Sequence, residues 1–336
     1  MKLPMVNTDY GNLYNIVFAP IRLKLLLAGI ELKVFSHLSE PTSAEELAKV
    51  IQTHPGNTRI FLDSLAAIDL VQKNNGLYWN TALAQTFLVE GNQTYLGQLF
   101  AFMASSDDSL EHIPALVKLG PPPQPGTPSF SEEMYAQTAA MMVNVERAGD
   151  AQQMVKIVTK LPEFSAFQKM LDLGGGPGLI GMAIVNAHPS MKGVIFDLPP
   201  VVKVAKTYIK EYGMEDRMEV LGGDFNRNSI GKNYDLIVTC NSLQFSQSID
   251  SIMKKIYGAL NHGGVCISMF GFGKTHERTK PETLILGLLS RALVGQDLNI
   301  DRGDIADSLV NAGFKSVSSK IITTGWGPME LDIARK

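Results

Sequence analysis

Residues 170–181 read MLDLGGGPGLIG: an apolar run meets four glycines in five residues, then resumes with Leu179, Ile180, Met182, Ala183 and Val185 at helical spacing. The run from Phe167 to Leu173 has the length of a buried parallel strand, so the glycines occupy a strand-to-helix turn. A helix N-terminus opened by glycines exposes backbone N–H groups and suits a ligand with polar or anionic parts. The competing reading is a tight turn with no ligand.

Strands and helices alternate downstream. Strands are expected at Met170–Leu173, Gly193–Phe196, Met218–Leu221, Leu236–Thr239 and Val265–Phe270, with helices at Pro200–Tyr212 and Ile249–Leu260. That alternation predicts an α/β fold with a Rossmann-like, doubly wound parallel sheet. Two β-prone runs, SVSSKIIT and MELDIAR, close it with an antiparallel C-terminal hairpin at the sheet edge. Ligands of such sheets sit beyond the carboxyl ends of the strands, at the switch point. There the second strand ends in Asp197, at the distance where an acid takes ribose hydroxyls, and the third leads into GGDF, where Asp224 and Phe225 offer an acceptor and an aromatic face. The fourth ends in Cys240 and Asn241. Four strand ends facing one crevice favour a nucleoside ligand over an empty turn.

Two cofactor classes compete. GPGLIG, residues 176–181, matches the dinucleotide fingerprint but begins two residues late. The frame Gly174-x-Gly176-x-Gly178, with Gly175 between and Asp172 before it, resembles the first motif of class I S-adenosyl-L-methionine (SAM)-dependent methyltransferases. With LDLGGGPG, VIFDLPPVV, GGDF and NHGG in order, the chain resembles the small-molecule O-methyltransferases of the caffeate and hydroxyneurosporene type over nearly its whole length. The resemblance implies that Gly174 to Gly178 approach the methionine part of SAM, that Asp197 and Leu198 hold the ribose, and that Asp224 with Phe225 brackets the adenine. It also implies a homodimer built through an N-terminal winged-helix domain (1–105), a helical linker and pocket region (106–160) and the SAM-binding domain (161–336).

The composition agrees with small-molecule chemistry. The chain has 336 residues, 45% of them hydrophobic, and a formal net charge of −3, so no global positive field recruits nucleic acid or a membrane surface. Its two cysteines, Cys240 and Cys266, lie in strand-like runs, not at metal-ligand spacing; no metal is expected, and a reduced, cytoplasmic setting fits.

From Asn12 to Leu38 the pattern is apolar on most faces, and Arg22 and Lys24 interrupt it, which argues against a signal peptide or membrane span. Ile16, Val17, Leu25, Leu26, Leu27, Ile30, Val34 and Phe35 are read as an oligomer interface. Two shorter helices follow, one capped by Thr42 or Ser43 and one by Asn57, then a hairpin turning at Asn75-Gly76. This is the order of a winged helix. The stretch Asn57–Val71 carries one Arg and two Asp, too little positive charge to hold a phosphate backbone. Residues 119–130 form a Pro/Gly-rich loop, and the helical stretch after it brings Met141 and Met142 as pocket-wall candidates.

One departure from the family stands out. Where it carries a Leu-His-Asp-Trp-like stretch with a general-base His, this chain reads NSLQFSQS, with Gln244 at the His position and Phe245 at the Asp. A carboxamide orients a substrate but cannot accept its proton. Remaining bases are His112 and His276, the latter on a loop after the fifth strand; Phe245 is a substrate-pocket candidate. Holding a nucleophile in line with an activated methyl group contributes ~7–11 kcal/mol by proximity, against ~10²–10⁴ in rate from a base, so methyl transfer survives the loss. The alternative is a SAM-binding enzyme or sensor whose chemistry is not O-methylation.

Overall fold

The computed structural model describes residues 3–105, 112–121, 131–271 and 300–336, and the chain divides into two compact units, Met1–Ser106 and Asp107–Lys336.

In the first unit, α1 (Gly11–Glu31) leads through a short 3₁₀ turn (Val34–His37) to strand β1 (Thr42–Ser43), helices α2 (Ala44–Val50) and α3 (Pro55–Ala67), strands β2 (Val71–Asn74) and β3 (Leu77–Asn80), and helices α4 (Ala82–Phe87) and α5 (Gly97–Ser105). Ser43 caps α2 in a reciprocal capping box with Glu46. The cap of α3 is His54, not Asn57: Pro55 sits at the first helical position, where a missing N–H costs nothing, and His54 Nδ1 accepts from Asn57 N at 3.3 Å. Asn75 and Gly76 both have positive φ, 50° and 78°, as a two-residue hairpin turn requires. The three strands pair in the order β1-β3-β2.

The apolar N-terminal stretch splits into two environments. Val34 and Phe35 are fully buried in this unit's own core with Leu38, Leu62 and Leu65, so they are not interface residues, whereas Ile16 and Val17 are exposed. By length and composition α1 also meets the measure of a membrane-crossing helix, with only 6% of its most apolar window buried.

The second unit begins with α6 (Ile113–Leu119) and α7 (Glu132–Val145). The helical stretch that carries Met141 and Met142 breaks here: a π-type turn, Glu146–Asp150, separates α7 from α8 (Ala151–Val158), and Gly149 takes φ 151°. Then β4 (Lys169–Leu173), α9 (Leu179–Asn186), β5 (Lys192–Asp197), α10 (Pro199–Glu211), β6 (Met218–Gly222), β7 (Tyr234–Cys240), α11 (Ile249–Ala259) and β8 (Leu260–Phe270) follow. A helix, Asp304–Ala312, precedes the hairpin of β9 (Ser316–Thr324) and β10 (Gly327–Arg335).

The seven strands run in the order β6-β5-β4-β7-β8-β10-β9, parallel through β8 and antiparallel for the last two. Alternating residues feed opposite faces: Met170, Leu236 and Val238 join one core with α8, α9 and α10, while Leu171, Leu173 and Ile237 join the other with α11. The order reverses at β4, which places the ends of β4, β5, β6 and β7 around one crevice.

Candidate functional site

The glycines after β4 do two different jobs. Gly178, φ 87°, caps α9, and a Cβ placed on it would stand 2.3 Å from Ile195 Cδ1, so this glycine lets the helix lie on β5. Gly176, φ 56°, has open space beside it, the nearest atom being Glu146 Oε1 at 3.7 Å. Much of what crowds this turn is therefore the chain itself, and Gly176 is the position open to a ligand.

The turn's N–H groups are already occupied, against the expectation of free donors for an anion. Ile180 N donates to Glu146 Oε2 at 3.1 Å and Gly181 N to Asp172 Oδ2 at 2.9 Å. Gly176 N donates to Asp197 Oδ2 at 2.8 Å, and Leu198 N to Asp197 Oδ1 at 2.7 Å. The positive end of the α9 dipole is matched by the chain's own carboxylates. None of Glu146, Asp172 and Asp197 has a cationic side chain in an ion pair among the described residues.

Burial dominates their electrostatics. It pushes Asp172 up to about 7, with the Gly181 N–H opposing and Asp197 adding to the rise. Glu146 is pushed well above the carboxyl range by burial and by Asp172, against the N–H groups of Ile180 and Leu179. Burial also raises Asp197, opposed by the N–H groups of Gly176 and Leu198. Burial and the charges of Asp150, Glu146 and Asp172 hold the Cys240 thiol protonated, which removes it as a nucleophile.

A cavity of about 530 Å³ opens at this rim. Of the residues expected at the site, it is lined by Asp172, Gly174, Gly175, Gly176, Asp197 and Leu198 from β4, β5 and their turns, by Asp224 and Phe225 after β6, and by Cys240, Asn241, Gln244 and Phe245 at the end of β7. Met142 of α7 closes one side. Gly178 packs beneath the turn, and Met141 is not among the lining residues. His112 is exposed at the start of α6 and does not line the cavity; His276 lies outside the described residues.

Two loops are tied together at the far rim. Asp224 Oδ1 accepts from Asn226 N at 2.8 Å and Nδ2 at 3.0 Å, and the same Nδ2 donates to Phe245 O at 3.0 Å. Gln244 Nε2 donates to Asn241 O at 2.6 Å, while Gln244 Oε1 is buried with no partner among the described residues.

Glu146, Tyr135, Thr138, Asn226 and Ser242 line the cavity without having been singled out from sequence. The signal for Glu146 is an acid set in the apolar helical run MMVNVERAG, directly before a helix-breaking glycine.

The model of the O-methyltransferase domain matches residues 124–315, and that of the O-methyltransferase dimerisation domain matches 14–90. The acetylserotonin O-methyltransferase of Bos taurus is 25% identical over 333 residues, 93% of this chain and 94% of its own length. The N,N-dimethyltransferase OxyT of Streptomyces rimosus is 26% identical over 258 residues, 73% of each chain. The crystal structure of human N-acetylserotonin methyltransferase in complex with SAM shares the fold at a TM-score of 0.77, with 22% identity and 99% of each chain covered.

Proposed function

This chain belongs to the O-methyltransferase family of SAM-dependent enzymes, and from that premise we propose that it methylates a small molecule, at a hydroxyl oxygen, with Gln244 where the family's general-base histidine stands. The observation that carries the cofactor assignment is the set of carboxylates, buried Glu146 and Asp172 and half-buried Asp197, without cationic partners among the described residues, beside the open backbone of Gly176. A dinucleotide pyrophosphate would meet these negative groups and would find the helix N–H groups already taken. SAM is complementary: its ammonium and sulfonium are cations entering an acidic crevice. When bound, SAM supplies a methyl group made electrophilic by the positively charged sulfur that carries it.

The chain's residues divide the binding work. Asp197 keeps a lone pair on each oxygen for ribose hydroxyls while bracing the turn through Gly176 N. Asp224 and Phe225 flank the adenine position, and the Gly174–Gly176 backbone faces the methionine part. Met142, Tyr135 and Phe245 form apolar and aromatic walls for the methyl acceptor.

Gln244 orients and does not deprotonate. Its Nε2 is committed to Asn241 O, which fixes the side chain at the rim, and a carboxamide takes no proton from a substrate. A site without that base does not select for a hydroxyl, and this favours as second reading a methyl transfer to an atom other than oxygen, as the N,N-dimethyltransferase OxyT does by its name. Calorimetry with SAM and with NADH tests the cofactor: tight NADH binding without SAM binding would sink the assignment. A pH–rate series on acidic and weakly acidic substrates tests the base. Gln244→Ala is expected mainly to raise KM, and Gln244→His to extend turnover to less acidic hydroxyls; a His112→Ala variant that loses ~10² in kcat would return the base to a histidine.

The same premise supports a homodimer. The dimerisation-domain match covers most of α1, whose exposed Ile16, Val17 and Ile21 form an apolar face of the kind a partner covers, and the helix and hairpin order supports a winged-helix reading of 1–105. Light scattering at micromolar concentration should give the mass of two chains; a monomer would refute it.

A further inference from the structure

Glu146 reaches the cavity only because the helix breaks at Gly149. The turn carries its carboxyl over the start of α9, where Oε2 takes Ile180 N–H and Oε1 faces the space beside Gly176. Asp172, at the neighbouring N–H of Gly181, lines the same cavity, and both side chains are more than nine-tenths buried. Among the described residues, no cationic side chain forms an ion pair with either acid. α9 has no charged residue, and β7 offers the neutral Cys240. Asp150 of the same turn adds a further acid bound to Trp326 Nε1, and Asp197 stands beyond Asp172. Arg147 is turned away, pairing with Glu211 and Tyr212 on α10.

We propose that Glu146 is the binding partner of the cofactor's α-ammonium group, and that the Glu146–Asp172 pair carries a proton in the free protein and releases it to solvent when that cation enters. This rests on the SAM reading above. Two carboxylates side by side in a buried place do not both ionise without a cation, and an arriving ammonium supplies the charge that lets the second one do so. The geometry names the ammonium because Oε1 faces the backbone assigned to the methionine part. The raised proton affinities of both groups agree with it.

Calorimetric titration at pH 7 in phosphate and in Tris, two buffers of different ionisation heat, reads the proton count directly. Binding of SAM and of S-adenosylhomocysteine should each release up to about one proton per site, whereas methylthioadenosine, which lacks the amino-acid cation, should release none. Glu146→Gln keeps an acceptor for Ile180 N–H. It should weaken SAM and S-adenosylhomocysteine together by about tenfold, cut the proton release, and leave methylthioadenosine unchanged. Equal weakening of methylthioadenosine would make Glu146 a structural brace and overturn the proposal. Release with SAM but not with S-adenosylhomocysteine would move the contact to the sulfonium and overturn the ammonium assignment. SAM binding with no proton exchange overturns this inference alone, and no SAM binding at all overturns the cofactor reading with it.

Discussion

The acids of the two units stand in opposite surroundings. In Met1–Ser106, Asp63 accepts from Lys73 Nζ at 2.5 Å and from the Tyr78 hydroxyl at 2.7 Å, Glu45 pairs with Arg59, and Glu90 pairs with Lys33 at 2.8 Å. These carboxyls sit near water, and the hydrogen bonds from Lys73 and Arg59 hold Asp63 and Glu45 below their ordinary range. In the cavity, Glu146 and Asp172 are buried and Asp197 half-buried, none pairs with a cation among the described residues, and all three are pushed up. The two sets therefore respond to acid with opposite signs. A lowered carboxyl gives stability that is present above its unfolded value and fades as pH falls; a raised one gives stability that is present in acid and is lost as pH rises through its folded value. Surface acids with partners serve the fold, whereas buried acids without them lower stability at neutral pH.

The strongest way to break this contrast is at Asp172. Its folded value of about 7 against an ordinary 3.8 makes the ionised side chain a liability of about 4 kcal/mol above pH 7, absent below pH 4. Asn keeps an acceptor for Gly181 N–H without the charge. In urea unfolding of the free protein, the stability of Asp172→Asn relative to the parent should improve steadily from pH 4 to pH 8; a difference that is flat across that window would show that Asp172 ionises freely.

Asp197 sharpens the contrast from the binding side. Removing its carboxylate with Asp197→Ala frees Gly176 N and Leu198 N and leaves ribose hydroxyls without an acceptor, so SAM affinity should fall by about 1–3 kcal/mol in calorimetry. Undiminished affinity would mean that the acid only braces the turn.

The smallest effect is expected at the surface. Lys73→Ala removes a pair whose side chains are 42% and 44% exposed, and solvent screening leaves such a pair little to contribute. Its melting temperature should barely move at neutral pH, and whatever shift appears should vanish in high salt. A large, salt-independent loss would erase the distinction between the two sets.

Much of this protein was legible along the chain because its signals are local. Apolar runs of strand length, helical spacing, a capping box at Ser43 and an Asn-Gly turn each depend on residues within a few positions of one another. So does the glycine turn after β4, and the polar residues at the strand ends follow from the alternation that puts those ends on one rim. The cap falls at His54 and not Asn57 because Pro55 starts the helix two residues before Asn57. The break at Gly149 leaves no mark in the spacing, because one glycine in a good helical pattern is ordinarily tolerated.

By itself the sequence determined the doubly wound sheet and its terminal hairpin, and it put Asp172, Asp197, Asp224 and Gln244 at or after strand ends. Only the tertiary structure decided what the glycines face, which carboxylates occupy the helix N–H groups, and that Gln244 is tied to Asn241 O. Glu146 lies 26 positions before Asp172, and no periodicity relates the two. Their meeting depends on a break at Gly149 and on α9 packing against the turn, and the shifted proton affinities arise from burial that no single stretch of chain provides.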